Sequence, residues 1–396
     1  MKIAIFTESF LPGVGGTEKA VLQYATELSK TDEVLVVAPS YHKPCDDKAF
    51  PFSVVRERSI PVTPNDMWAM PDLTPKLRKT LDEFAPDVIN CQHWGMSSGF
   101  ANKYAKAHNI PLVYVVHTKF KYCYERYTFP PIPYLFIKNG VRRLKKADVV
   151  CTVSDSMIPE LNSYGYNKPI KVIRNGTNID AVTTEKPVKA ADEPLTFLYV
   201  GLVASYKNID FSLRALAEVK KTRSDFVFYV VGNGPDKKKL QKLSERLGLK
   251  DKVIFTGNIT DKKDLAEKYA KADLLLFPSI FDNDSLVIIE AARNGVPSLV
   301  IKDSGSAERI TDNENGFVSE YSVAAYADKI LQIMNDSPHL DNMRKSVCST
   351  VGNGWDKTVR EYNKIYSELI AEKERAGAHK KAFRTKYKKR VVRSKI

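Results

Sequence analysis

Phe277-Pro278-Ser279-Ile280-Phe281-Asp282-Asn283-Asp284-Ser285-Leu286-Val287-Ile288-Ile289-Glu290, followed by Ala291-Ala292-Arg293-Asn294-Gly295-Val296-Pro297, decides how this 396-residue chain is read. An apolar strand ends at Phe277, a polar turn follows, and a helix starts near Ser285. Helix amino termini attract phosphate through unpaired N–H groups and the macrodipole. Asp282 sits at the mouth of the helix and Glu290 two turns into it. Carboxylates do not suit a phosphate, but they accept hydrogen bonds from sugar hydroxyls. An anion site flanked by two hydroxyl acceptors is what a nucleotide-sugar requires. The same turn spells Asp-x-Asp, a pattern that elsewhere holds a divalent metal. At a helix entry, capping by Asp284 or Ser285 is the plainer explanation.

Outward from this segment the chain alternates strand and helix signals. In the first half, strands are expected at Lys2–Phe6, Glu33–Ala38, Asp87–Cys91, Leu112–His117, Val149–Ser154 and Ile170–Ile173. Helical stretches separate them, at Thr17–Leu28, Thr74–Phe84, Gly99–His108, Tyr134–Lys146 and Met157–Tyr164. Asp180–Pro194 is polar and irregular and reads as a linker. A second alternating set runs through Leu195–Val200, Phe226–Val231, Val253–Phe255, Leu274–Phe277 and Ser298–Ile301. These runs are continuously apolar, as in strands covered on both faces. The rhythm predicts α/β architecture with two doubly wound parallel sheets. Ligands in such sheets lie beyond the carboxyl ends of the strands. The expected division is into domains 1–178 and 179–355. Residues 356–378 cross back to the first, on a helix over Trp355–Ala371, and 379–396 form a basic tail.

Composition narrows the class. Hydrophobic residues make up 43% of the chain, and the longest apolar runs are strand-sized, so no transmembrane helix is expected. The opening apolar run, Met1 to Phe6, is too short for a signal-peptide core. Five scattered cysteines with no CxxC argue against a disulfide framework or a zinc site and for a reducing cytoplasm. The net charge is +14, and nine Lys/Arg without one acidic residue lie between His379 and Ile396, among them Lys388, Lys389 and Arg390. A solvated tail is one reading. The other is a polybasic segment on an anionic membrane surface, with a peripheral location on the inner face of the cell membrane. No nucleic-acid-binding motif accompanies the charge.

Six further stretches carry signals. Pro12-Gly13-Val14-Gly15-Gly16-Thr17-Glu18 opens the first helix, and its glycines let backbone N–H groups approach an anion. It is not the dinucleotide fingerprint. His117 and Thr118 end a strand, where a side chain points toward a ligand or serves as a hydrogen-bonded structural histidine. Gly201 through Asn208 places Lys207 where it would balance a diphosphate. Val231-Gly232-Asn233-Gly234-Pro235 and Thr256-Gly257-Asn258 are glycine turns at the same end of the second sheet, each able to admit a flat base. Lys119–Tyr134 is rich in aromatics and proline, and Arg142, Arg143, Lys145 and Lys146 follow. This is either a packed loop with a solvated helix face or an amphipathic patch that admits a lipid acceptor.

In this order the loops resemble the retaining glycosyltransferases of family GT4, with the GT-B fold of two facing Rossmann-like domains, a deep inter-domain cleft and a crossover helix. The resemblance runs from the first glycine loop through Val172-Ile173-Arg174-Asn175-Gly176-Thr177-Asn178, similar to the family's PNGVD, to the crossover helix. Its strongest part is the Glu-x7-Glu segment, here Asp282 to Glu290. The chain is also loosely similar to bacterial glycolipid-forming glucosyltransferases. The resemblance implies a hexosyltransferase without an essential cofactor or metal, taking a nucleotide-sugar, with UDP expected, to a lipid or cell-envelope glycan. It makes 1–178 the acceptor-side domain and 179–355 the nucleotide-sugar domain. It implies that Glu290 binds ribose, Asp282 the donor-sugar hydroxyls, and the backbone of Asp284, Ser285 and Leu286 the sugar and phosphate. Lys207 would neutralise the diphosphate, Gly232 and Gly257 meet the base, His117 contacts the donor sugar, and Gly15 and Gly16 approach from the first domain. Leu202 replaces the usual arginine, with Arg174 a candidate substitute; Asp282 replaces glutamate, and Ser285 a glycine. A nucleotide-sugar epimerase and a non-catalytic basic surface binder are the competing readings.

Overall fold

The computed structural model describes residues 1–13, 15–42, 45–61, 67–120, 132–179 and 193–393. The chain divides into two compact units. The first comprises Met1–Val153, Met157–Ile173 and Asp356–Ile396, and the second Ser154–Ser156 with Arg174–Trp355.

The first unit is built on seven strands: β1 (Lys2–Phe6), β2 (Glu33–Pro39), β3 (Ser53–Glu57), β6 (Val88–Cys91), β7 (Leu112–Val116), β8 (Val149–Thr152) and β9 (Ile170–Val172). A small antiparallel pair, β4 (Ser59–Pro61) and β5 (Met67–Ala69), lies outside the main sheet. The order is β3-β2-β1-β6-β7-β8-β9, with every pairing parallel. Helices α1 (Gly16–Leu28), α2 (Pro75–Phe84), α3 (Met96–His108), α4 (Ile132–Leu144) and α5 (Met157–Ser163) connect the strands. Parallel neighbours require such crossovers. The core gathers Phe6, Leu35, Ile89, Tyr114 and Val150 from the sheet with Leu77, Leu81 and Phe100 from helices.

The second unit has the order β12-β11-β10-β13-β14-β15, again all parallel. Its strands are β10 (Leu195–Val200), β11 (Phe226–Val231), β12 (Val253–Gly257), β13 (Leu274–Phe277), β14 (Ser298–Ile301) and β15 (Phe317–Ser319). Helices α6 (Ile209–Lys220), α7 (Lys237–Arg246), α8 (Lys262–Lys271), α9 (Leu286–Arg293), α10 (Val323–Asn335) and α11 (Ser337–Thr350) complete it. Phe197, Phe228, Leu275 and Leu299 are fully buried, as doubly covered strands require.

The last helix, α12, spans Trp355–Arg393, well beyond the expected Ala371, so the basic segment continues a helix up to Arg393. From Asp356 onward it belongs to the first unit. Asn363 Nδ2 there donates to Asp32, which also holds the amino terminus of Met1. The linker at 180–192 and most of the aromatic loop, 121–131, lie outside the described residues.

Candidate active site

In each unit the strand order reverses beside the first strand, and ligands of open α/β sheets bind at that reversal. In the second unit it falls between β10 and β13, which pair directly. Lys207 ends the short 3-10 turn Ser205–Lys207 that follows β10, and Asp282 lies in the loop after β13. Their strands deliver them side by side. Lys207 Nζ donates to Asp282 Oδ1 at 2.6 Å and Oδ2 at 2.8 Å.

The glycine turns sit at the same sheet end and are stitched backbone to backbone. Gly201 N donates to Val231 O at 3.0 Å, Val203 N to Asn233 O at 2.9 Å, and Gly232 N to Gly257 O at 2.8 Å. Gly232 has φ +141°, and a Cβ there would stand 1.9 Å from the carbonyl oxygen of Gly201. No side chain fits that approach.

Glu290 is buried on α9. Its Oε2 accepts from the hydroxyl of Tyr269 on α8 at 2.9 Å. Burial first, and then the Glu290 charge, raise the Tyr269 phenol well above its ordinary value, so it stays a donor. Asp284 behaves differently from a helix cap. Its Oδ1 accepts from Arg309 Nε at 2.5 Å, and its Oδ2 from Arg309 Nη2 at 2.8 Å and Asn175 N at 2.6 Å. Asp284 is therefore a buried strut between the 3-10 turn Gly305–Arg309 and the segment after β9. Ser285 occupies the N-cap position of α9 with no side-chain capping bond, which corrects the capping expected of Asp284 or Ser285. Arg174 is held by Asp155 at 2.6 Å and Glu308 at 3.2 Å, so the proposed stand-in for the arginine missing at Leu202 is engaged in an ion-pair cluster. Glu308 also accepts the backbone N–H groups of Asp155 and Ser156, at 2.7 and 2.8 Å.

In the first unit the reversal lies between β1 and β6. Thr7 and Glu8 follow β1, Gln92 and His93 follow β6, and His117 follows β7. The rings of His93 and His117 stand 6.4 Å apart. Thr7 Oγ1 is 3.4 Å from His93 Nδ1. Burial lowers His117 to about 4 and, helped by His117, His93 to about 3, so both rings are neutral near pH 7. His117 Nε2 lies 2.6 Å from Gln92 Oε1. Glu8, absent from the expected set, places its carboxyl at the start of α3, where Ser98 N donates to Oε1 at 3.3 Å. Burial outweighs these N–H groups and the Arg143 charge and pushes Glu8 up to about 7. Gly15 is the N-cap residue of α1, and the Glu18 carboxylate occupies the space a Cβ would take there. Gly16 begins the helix, and a Cβ on it would meet nothing within 4 Å.

The cationic residues expected near a membrane or acceptor separate. Arg142 is exposed and Lys119 half-buried. Arg143 is drawn inward, with Nη1 donating to Trp94 O at 2.5 Å and also to Gly95 O. Tyr134 and Leu135 on α4 are 64% and 55% exposed, an apolar patch two turns before Arg142 on the same helix. Lys388, Lys389 and Arg390 fall on α12, and their side chains lie outside the described residues. Among the described residues no helix is long and apolar enough to cross a membrane.

Sequence reasoning missed Tyr269, Arg309, Glu308 and Glu8. Each acts through a partner distant in the chain, and no local spacing signals it.

Two family models match the chain in tandem: "Glycosyltransferase Family 4" over residues 14–181 and "Glycosyl transferases group 1" over residues 182–347. A GDP-mannose-dependent alpha-mannosyltransferase of Corynebacterium glutamicum is 25% identical over 392 residues, covering 95% of this chain and 91% of the relative. The Anabaena protein HepE, solved with UDP, superposes with a TM-score of 0.75 at 18% identity, over 93% of this chain and 100% of that one. A lipopolysaccharide outer core galactosyltransferase, WaaB, in its apo form, gives 0.67 at 21% identity, with coverage of 93% and 100%. With two Rossmann-like units and both halves matched, the chain belongs to the group 1 glycosyltransferases of family 4, enzymes of the GT-B fold that transfer a hexose.

Proposed function

We propose that this enzyme moves a hexose from a UDP-linked donor to a lipid or cell-envelope glycan, with retention of anomeric configuration. The observation that carries the donor assignment is the meeting of Lys207 with Asp282 at the strand reversal of the second unit, ahead of α9. The donor then belongs to the second unit and the acceptor side to the first, with His117 and the Gly15-Gly16 turn contributing from there. Lys207 and the N–H groups at the start of α9 receive the diphosphate. Asp282 takes hydroxyls of the sugar. Glu290, oriented by Tyr269, accepts from the ribose. Gly232 and Gly257 line the base. HepE, solved also with UDP-glucose, supports the choice of UDP.

In this reading the bond from the anomeric carbon to the diphosphate oxygen breaks through an oxocarbenium-like state. Charge accumulates on the leaving oxygens, and preorganised cations and N–H dipoles lower that barrier electrostatically. The acceptor oxygen bonds to the same face, and its proton passes to the leaving phosphate oxygen. We assign no metal to the Asp-x-Asp, because Arg309 and Asn175 engage both oxygens of Asp284 and Lys207 engages Asp282. The lipid side of the proposal rests on the exposed Tyr134 and Leu135 on the helix that also carries Arg142, with the basic end of α12 as a second anionic-surface contact and a peripheral location on the inner face of the membrane.

Transfer assays with UDP-, GDP- and ADP-hexoses test the donor. Lys207→Ala is expected to lower kcat about 10²–10³-fold, the loss seen when one preorganised donor to a developing charge is removed. Glu290→Ala is expected to act mainly through KM for the donor, since ribose binding is uniform along the reaction. An unchanged kcat in Lys207→Ala, or an unchanged donor KM in Glu290→Ala, refutes the assignment, and conversion of UDP-GlcNAc without an acceptor would make the enzyme an epimerase.

A further inference from the structure

A chain of buried side chains leaves His117 and ends on the last helix. His117 Nε2 meets Gln92 Oε1 at 2.6 Å. Gln92 Nε2 donates to Asn90 Oδ1, and Asn90 Nδ2 donates to the hydroxyl of Tyr366 at 2.6 Å. The Tyr366 hydroxyl in turn meets that of Tyr24 on α1. Asn90 and Tyr366 have no exposure, and Gln92 and Tyr24 have almost none. All five residues belong to the first unit, yet Tyr366 is separated from Asn90 by 276 positions.

An amide has a donor at one end and an acceptor at the other. Two amides in series therefore transmit a single sense along the chain. Asn90 Nδ2 donates to Tyr366, either tyrosine hydroxyl can donate to the other, and Gln92 turns its carbonyl oxygen to the histidine. A carbonyl accepts only, so the ring nitrogen facing it carries the hydrogen. Reversing the sense means flipping both amides at once within a packed interior. Tyr362 walls one side, with its ring 5.1 Å from Tyr24 and 6.0 Å from Tyr366.

We propose that Tyr366 is a positioning residue, which through Asn90 and Gln92 holds His117 as the Nε2–H tautomer with Nδ1 as the acceptor nitrogen. The consequence for sugar transfer rests on the function proposed above, whereas the tautomer does not. The return of the last helix to the first unit thus sets the state of a side chain at the strand reversal.

The test reads the tautomer directly and needs no substrate. Long-range proton–nitrogen NMR of the full chain with ¹⁵N-labelled histidine, near neutral pH, reports which ring nitrogen is protonated, and His117→Gln assigns the signal. The wild-type protein is expected to show Nε2–H alone. Tyr366→Phe keeps the ring and removes the hydroxyl, and is expected to give a mixture of both tautomers. Tyr24→Phe, one step farther away, is expected to give a smaller shift in the same direction and serves if the first variant does not fold. Gln92→Glu added to Tyr366→Phe is expected to restore Nε2–H, because a carboxylate only accepts. An Nδ1–H signal in the wild-type protein, or wild-type spectra from both tyrosine variants, overturns the proposal.

Discussion

Glu57, at the end of the edge strand β3, has no exposure, and among the described residues its carboxylate oxygens make no hydrogen bond of ordinary geometry. Burial, with a smaller contribution from the nearby Glu8 charge, outweighs the Ser97 hydroxyl and raises it from 4.5 to about 8. Between those values the folded protein holds a proton that the unfolded chain has released, so stability falls as pH rises through the window, by up to about 1.4 kcal/mol per unit. Glu8, raised to about 7, acts in the same direction. His93 and His117 act in the opposite one. They stay neutral when folded and take up protons when unfolded below their ordinary 6.5, so stability falls as pH drops from there toward about 3 for His93 and about 4 for His117. Acid and base thus pull against each other around the first-unit strand reversal. Glu57→Gln should match the wild type in urea midpoint below about pH 4 and exceed it increasingly up to about pH 8, because it removes the largest carboxylate contribution. A variant that loses stability with pH as steeply as the wild type would show that Glu57 is not the group responsible.

The turn Gly305–Arg309, the entry to α9 and the segment after β9 are joined through one buried ion pair. Arg309 and Asp284 have side chains only 6% and 1% exposed. Such a pair is weak evidence for net stability, but removing one partner leaves an uncompensated charge in the interior. Arg309→Met is therefore expected to destabilise the second unit by about 3–5 kcal/mol, and adding Asp284→Asn should recover part of the loss. Urea unfolding followed by a probe in that unit measures both, and a loss below about 1 kcal/mol would place the strut elsewhere. This pair also marks the limit of sequence reading. Leu195–Val200, Phe226–Val231, Leu274–Phe277 and Ser298–Ile301 were legible because strands buried on both faces are continuously apolar, and they came out with the expected bounds. Two of the four edge strands, β3 and β15, escaped that logic. Ser-Val-Val-Arg-Glu of β3 mixes polar and apolar positions, and β15 has only three residues. At the site, Asp282, Lys207 and Glu290 were legible because each lies at a fixed offset from a strand end. Arg309 and Tyr269 were not, since their partners lie 25 and 21 residues away and only the fold brings them together.

Among the described residues each unit has its own core, one around Phe6, Ile89 and Tyr114 and one around Phe197, Phe228 and Leu275. Neither sequence half is a complete unit, because Asp356 onward belongs with the first. Tyr366 and Asn363 anchor that return to Asn90 and Asp32. The first unit can close its buried polar chain only after the second has been synthesised. Two cores of this size do not require one cooperative transition, and multidomain chains commonly depart from two-state unfolding. The three tryptophans allow the transitions to be told apart. Trp355 lies in the second unit, while Trp68 and Trp94 lie in the first. Replacing Trp68 and Trp94 by Phe leaves a reporter for the second unit, and Trp355→Phe leaves reporters for the first. A ligand that binds only the folded form raises stability by mass action, about 2.7 kcal/mol at a free concentration of about 100 Kd. Lys207, Asp282 and Glu290 all belong to the second unit, so UDP at that concentration should shift the Trp355 transition by this amount. The transition seen by Trp68 and Trp94 should stay within about 0.5 kcal/mol of its position without nucleotide. Equal shifts from both reporters would mean that nucleotide binding is shared between the units, and a shift confined to the first would reverse the assignment of donor and acceptor sides.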